Sequence, residues 1–287
     1  MRLFSIIFLT IIISIQVQSQ VITGRIVNNS NKEPIEYVNI GIVDMPIGTT
    51  TDENGVFNLD IKSNSTDNKV RISMIGYKSK TFSIEELLIK ENIIALEEQL
   101  YEISEVIVRP NGRIRKVGTS NFSRGKGVCG WGGTQFGAGH EIGTRIDLGE
   151  KPIKVKSIHV RLFTQSFDST LLRLHIRDII ENLPGNELLK ENIYLNISEK
   201  SGWVEFDISE YNIVLKGEIA LTLEWLNVFG INENRMVRMN RKSSHKTAVV
   251  LFNIRDKQEL LYSRWGSEAK WTINKTQSPS FYLTVIE

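Results

Sequence analysis

Apolar and polar residues alternate in short runs along most of the chain. The sharpest run is Val56-Phe57-Asn58-Leu59-Asp60-Ile61, in which Phe57, Leu59 and Ile61 share one face and Val56, Asn58 and Asp60 the other. Side chains of a strand point alternately to opposite faces, so this pattern predicts a strand with one buried face. Comparable runs begin at Val21, Glu36, Lys69, Tyr77, Ile93 and Glu105, separated by segments rich in Gly, Asn and Asp. Strand spacings of about 8–12 residues predict an antiparallel sandwich of roughly six to eight strands. The one helical piece is placed at residues 83–90, around Glu85-Glu86-Leu87-Leu88.

Arg109-Pro110-Asn111-Gly112 interrupts the alternation, and residues 121–143 are dense in glycine. Strand runs then resume at residues 155–163, 171–179, 202–208, 218–226, 247–254 and 281–286, with long polar loops between them and almost no helical periodicity. The fold class is therefore all-β, with a small sandwich at 21–108, a linker at 109–127, and a larger, jelly-roll-like sandwich at 128–287. A hydrophobic content of 41% and a charged content of 24% place the chain among globular rather than disordered proteins.

Residues 1–20 stand apart. Arg2 precedes the apolar run 3–15, and Val17-Gln18-Ser19 offers permissive residues before a cut, the layout of a secretory signal peptide. That run is shorter than the about 20 residues a spanning helix needs. The mature chain is expected to be exported to the periplasm, outer membrane or cell surface, with no integral membrane segment after cleavage. The only cysteine, Cys129, allows no internal disulfide and is expected to be a buried, inert thiol.

Charge is uneven. Residues 21–108 are net −6, residues 109–127 carry six bases and no acids, and residues 128–287 are net +1. This near balance argues against nucleic acid as a partner. It also suggests that the basic linker docks on the acidic first module.

Candidate chemistry is sparse. Asp52-x-Asn54-Gly55 opens like a calcium loop, which needs alternating ligands and a bidentate Glu at its twelfth position. Counted from Asp52, the fifth position is Val56 and the twelfth Ser63, so the segment is read as a hairpin turn with Gly55 free to take positive φ. None of the four histidines has a His-x-x-Glu or zincin spacing, and no Gly-x-Ser-x-Gly elbow occurs. Gly125-x-Gly127-x-x-Gly130 lacks the preceding strand and following helix of a dinucleotide site. His159 and His175 fall at outward positions beside Arg161, Arg173 and Arg177. If their strands pair, the two rings can approach and hold a metal, although a solvated basic face is the simpler expectation and an anion- or acidic-glycan-binding surface a further alternative. No catalytic residue, metal or cofactor is assigned.

Of the five tryptophans, Trp203 and Trp225 lie on apolar-patterned strands and are expected in the core. Trp131, Trp265 and Trp271 lie among Gly, Ser and charged residues, as loops at a sandwich rim would. With Phe136, His140 and Glu141 they form the candidate ligand-binding set, because exposed aromatics stack on sugars or anchor protein contacts.

The ordered set Gly24, Pro34, Val38-Asn39, Gly48-Thr49, Thr51-Asp52, Gly55, Phe57 and Gly76-Tyr77 resembles the carboxypeptidase-regulatory-like domain. That resemblance implies a transthyretin-like sandwich found in exported Bacteroidetes envelope proteins, an accessory rather than a catalytic module. Gly139-His140-Glu141-Ile142-Gly143, Leu171–Ile179, Pro184, Gly202–Ile213 and Ile219–Leu226 resemble a carbohydrate-binding-type sandwich. The expected function is that of a non-catalytic envelope protein that binds a glycan or an envelope protein through loops of the second sandwich. The alternatives are a hydrolase on the jelly roll or a structural envelope component.

Overall fold

The computed structural model describes residues 20–61, 68–89, 92–99, 112–124, 127–132, 138–238, 244–256 and 260–287. Residues 1–19 of the signal segment, residues 105–108 and Phe136 lie outside the described residues. The protein is nearly all β, as the alternation predicts.

Two sheets build the first module. Gln20–Asn28 is the centre of a three-stranded sheet, flanked by Val56–Ile61 and Asn92–Leu96. A four-stranded sheet runs Gly48–Thr50, Asn39–Ile42, Lys69–Ser73, Lys80–Ser83. Between them Ile22, Ile26, Phe57 and Leu59 pack on Ile40, Val70 and Ile72. Each such side chain contributes roughly 1.5–3 kcal/mol when fully buried. The module departs from a purely antiparallel sandwich in one place, because Asn92–Leu96 runs parallel to Gln20–Asn28. Ile84–Leu88 is the short helix. It begins at a capping box in which the Ser83 hydroxyl accepts from Glu86 N and the Glu86 carboxylate accepts from Ser83 N.

The turn before Val56 is not a hairpin. Gly48–Thr50 belongs to the four-stranded sheet and Val56–Ile61 to the three-stranded one, so the chain crosses between sheets there. The Asp52 carboxylate accepts from Asn54 N at 2.9 Å and Val56 N at 2.8 Å, and Gly55 has φ +72°. Asp52 therefore closes a sandwich corner with its side chain.

The second module is a larger sandwich. One sheet of seven strands is centred on Phe167–Ile180, Glu218–Ile231, His140–Asp147 and Leu261–Trp265. The other, of eight, is centred on Ile153–Gln165, Val249–Asp256 and Phe281–Ile286. Leu172, Leu174, Leu221 and Leu223 from the first meet Ile158, Val160, Phe252 and Leu283 from the second. Trp131 lies in this core on Val128–Gly132, edge-on to Trp225 at 5.3 Å and to Phe252 at 6.0 Å. It is thus a core residue and not a rim aromatic. Trp203, expected in the core, is 37% exposed. Cys129 packs against the core, and burial pushes its thiol pKa up to about 12.

The basic stretch also differs from a linker. Ile114–Gly118 is a strand paired with Phe281–Ile286. Arg115 pairs with Glu287 and donates to Leu148 O at 2.9 Å, while Lys116 lies over the Tyr282 ring. These charges are used within the second sandwich, not on the acidic first module.

The modules meet instead through the loop after Leu261–Trp265. Asp44 N donates to Glu268 O at 2.9 Å, and Ser73 Oγ donates to Glu268 Oε1 at 3.2 Å. Gly41 packs so closely on this loop that a Cβ there would lie 2.8 Å from Ser267 Oγ and 2.9 Å from Glu268 Cγ. Ile75 of the first module joins the larger core, and Asn192 Nδ2 donates to its carbonyl at 3.0 Å.

Candidate functional site

The site begins with period-two geometry on the seven-stranded sheet. On Phe167–Ile180 the side chains of Leu172, Leu174 and Ile176 enter the core, so Arg173, His175 and Arg177 point to the opposite face. On Glu218–Ile231 the same alternation turns Thr222 and Glu224 outward. Register places Arg173 opposite Glu224, Glu224 opposite Glu141, and Glu141 opposite Arg264. Four neighbouring strands therefore contribute a row reading Arg, Glu, Glu, Arg. Directly opposed positions are close enough for their side chains to pair.

The two acids of this row are fully buried. Arg177 grips Glu141 through two nitrogens at 2.7 and 3.2 Å, Arg264 Nε donates to it at 2.9 Å, and the Thr222 hydroxyl donates at 2.8 Å. Burial raises the Glu141 pKa, but Arg177 and Arg264 outweigh it and hold the carboxyl well below the usual range. Burial likewise opposes ionisation of Glu224, yet Arg173 at 3.4 Å and His175 Nε2 at 2.8 Å keep its pKa low.

His175 also presents Nδ1 to Glu187 at 2.6 Å. A ring with a carboxylate at each nitrogen donates from both and is an imidazolium. Burial and Arg177 push its pKa down, but Glu141 and Glu187 more than compensate and the value is raised.

This network decides the metal question. Glu141, His175 and Glu224 offer ligand atoms within 4.8 Å of one another. Both Glu141 oxygens and both His175 nitrogens are already engaged, however, and arginines face the same space. A histidine ligand must be neutral, and a cation there meets Coulombic repulsion. The residues fit an ion-pair network better than a metal centre. His159 takes no part: its strand lies in the other sheet, so the two histidines do not approach each other.

Beside the network, between the modules, lies a cavity of about 420 Å³. Small-molecule sites span about 300–1,000 Å³. Asn39, Arg71, Ser73 and Tyr77 line it from the first module, and Arg173, His175, Arg264, Ser267 and Glu268 from the second. Asn39 Oδ1, Ser267 Oγ and Arg173 Nε are buried without a hydrogen-bond partner. Arg173 Nη1 is a fourth. Buried polar atoms almost always have a partner, so four such atoms on the residues of one cavity wall mark a place suited to a polar occupant. Burial raises the Glu268 pKa, against the opposing pull of Arg71.

The candidate set from the sequence divides here. Glu141 lies beneath the cavity, and Trp271 stacks over Arg264 at 4.6 Å and Arg177 at 5.6 Å. His140 and Trp265 meet edge-to-face at 5.1 Å, with Trp265 51% exposed. Burial lowers the His140 pKa to about 4. Trp131 is remote in the core, and Phe136 lies outside the described residues. Arg173, His175 and Arg177, expected on a solvated face, are buried: Tyr37 of the first module meets Arg173, and Glu187 and Trp271 of the second module flank His175 and Arg177. Asn39 stands out in the sequence only through the family resemblance, and Arg71, Glu224, Arg264, Ser267 and Glu268 are not singled out there as site residues. Their one signal was the match of Arg173 and Arg177 on one outward face with Glu224 on another.

Residues 22–108 match the family of CarboxypepD_reg-like domains, so the first module is such a domain. No curated protein matches the chain. Among solved structures, one titled as the infectious bursal disease virus Gt strain is 10% identical, with a TM-score of 0.25. The match covers 94% of this chain, which spans 63% of that one.

Proposed function

We propose that this is an exported, non-catalytic binding protein of the cell envelope, of the kind Bacteroidetes display, and that it takes a glycan in the cleft between its two modules. The supporting observation is the cavity of about 420 Å³ whose lining residues Asn39, Ser267 and Arg173 carry buried polar atoms without partners. Sugar hydroxyls both donate and accept, and suit such a wall. The loop 266–271 borders the cleft through Ser267 and Glu268, with Trp271 over Arg264 and Arg177, and Trp265 before it stays exposed.

Titration calorimetry of the full chain against a panel of mono- and oligosaccharides tests this reading. Saturable binding is expected, weakened up to about 10-fold in Asn39→Ala and in Ser267→Ala, the effect of one hydrogen bond. Turnover of glycosides, esters or peptides, or a protein partner bound with no sugar signal, would overturn it.

A further inference from the structure

We propose that the ligand of the inter-module cleft is an acidic sugar whose carboxylate is received by Arg71 and Arg173; the inference rests on the glycan reading above. Five cationic groups line the cavity: Arg71, Arg173, His175, Arg177 and Arg264. Four carboxylates answer them, Glu187 and Glu268 on the wall and Glu141 and Glu224 beneath it. One positive charge on the cavity lining is left over.

The surplus can be located. Arg177 and Arg264 are committed to Glu141, and His175 to Glu187 and Glu224. Arg173 is fully buried and donates through Nη2 to the carbonyl of Tyr37. Its Nη1 lies 3.4 Å from Glu224 without making a hydrogen bond, and its Nε makes none. Arg71 is 48% exposed, donates to Ser79 at 3.3 Å, and stands 3.8 Å from Glu268. Burial favours the neutral form of Glu268, which weakens the one acid facing Arg71.

Two guanidinium groups with donors to spare, one from each module, therefore face one space. Guanidinium matches a carboxylate in charge and in planar geometry. Asn39 Oδ1, a buried acceptor without a donor, asks for a hydroxyl on the same ligand. Carboxylate and hydroxyl together describe a sugar acid.

Calorimetry of the full chain with matched pairs tests the assignment: glucuronate against glucose, galacturonate against galactose, and inorganic phosphate and sulfate as further probes. The uronates are expected to bind at least about 10-fold more tightly than their neutral partners. Arg71→Gln, a partly exposed position that leaves the core intact, is expected to bring the acids down to the neutral level. Arg71→Lys is expected to restore part of the difference. Equal binding of acid and neutral sugars, undiminished uronate binding in Arg71→Gln, or tighter binding of phosphate or sulfate would each overturn the carboxylate while leaving the glycan reading standing. No binding of any sugar would overturn both.

Discussion

The stretches His159-Val160-Arg161 and His175-Ile176-Arg177 have the same pattern, and each places its histidine and arginine on the outer face of a sheet. Their chemistry is opposite. His159 stacks flat on Tyr282, with ring centroids 4.2 Å apart, and its Nε2 meets the hydroxyls of Ser157 and Thr284. Burial lowers its pKa and keeps the ring neutral. His175 sits between two carboxylates and is charged. Arg161 lies over Phe122 at 4.0 Å, whereas Arg177 is locked on Glu141. One sheet face is finished by aromatic side chains, the other by Glu187, Trp271 and, from the docked first module, Tyr37. The covering decides whether a His-x-Arg stretch becomes packing or an ion-pair network.

The largest test of that contrast removes an acid from each face. Glu141→Gln leaves Arg177 and Arg264 buried without their carboxylate and is expected to cost about 3–5 kcal/mol in urea denaturation. Glu205→Gln, 3.6 Å from His159 on a side chain 59% exposed, is expected to cost under about 1 kcal/mol. Similar losses would remove the distinction between the faces.

Next comes the covering itself. Gly41→Ala drives a methyl into Ser267 and Glu268, and overpacking of this kind costs about 1–3 kcal/mol. Looser docking should appear as a larger radius in solution scattering and as faster proteolysis of the loop 266–271. The His159 resonances should stay unchanged, and movement of them alone would refute the idea that only one face depends on docking.

Titration sharpens the comparison with smaller effects. His175 has a raised folded value, so its contribution is complete below the ordinary 6.5 and is lost as pH rises through that folded value. His140 and His159 have lowered values and act in reverse, with stability lost as pH falls below 6.5, for His140 down to about 4. Glu141, Glu187 and Glu224 add a further loss below 4.5, as pH falls through their lowered folded values. Melting temperature against pH should therefore show a plateau whose alkaline edge disappears in His175→Gln and whose acid edge softens in His140→Gln. NMR titration that finds His159 protonating before His175 on acidification would contradict the assignment.

The smallest effect concerns Trp203, edge-on to Tyr282 at 5.0 Å and partly exposed. Trp203→Ala is expected to cost about 0.5–1.5 kcal/mol in the same denaturation, the worth of an aromatic pair beyond its buried area. A much larger loss would place Trp203 in the core after all.

Legibility in the sequence followed exposure. Val56–Ile61 and Phe281–Ile286 appear with the bounds their alternation predicts, because each strand or its neighbours carry a clear hydrophobic rhythm. His140–Asp147 was missed as a strand although it bears Glu141. Five of its eight residues are buried, polar Glu141 and Thr144 among them, and Ile142 and Ile146 are its only apolar side chains, so the alternation is too sparse to mark a strand. Ile114–Gly118 was hidden by Arg115 and Lys116, whose charges suggested a linker and whose partners are remote in the chain.

The sequence by itself determined the all-β class, the identity of the first module, the inward and outward sides of the main strands, and the lack of familiar catalytic spacings. Those are properties of neighbours a few residues apart, and local sterics and hydrophobic periodicity enforce them. Only the tertiary structure decided that the outward side of one sheet is an interior, that Arg173 and Arg177 meet Glu141 and Glu224 there, and that a cavity opens beside them. Ion pairing and burial depend on distances between residues such as Tyr37 and Arg173, 136 positions apart, which no local pattern encodes.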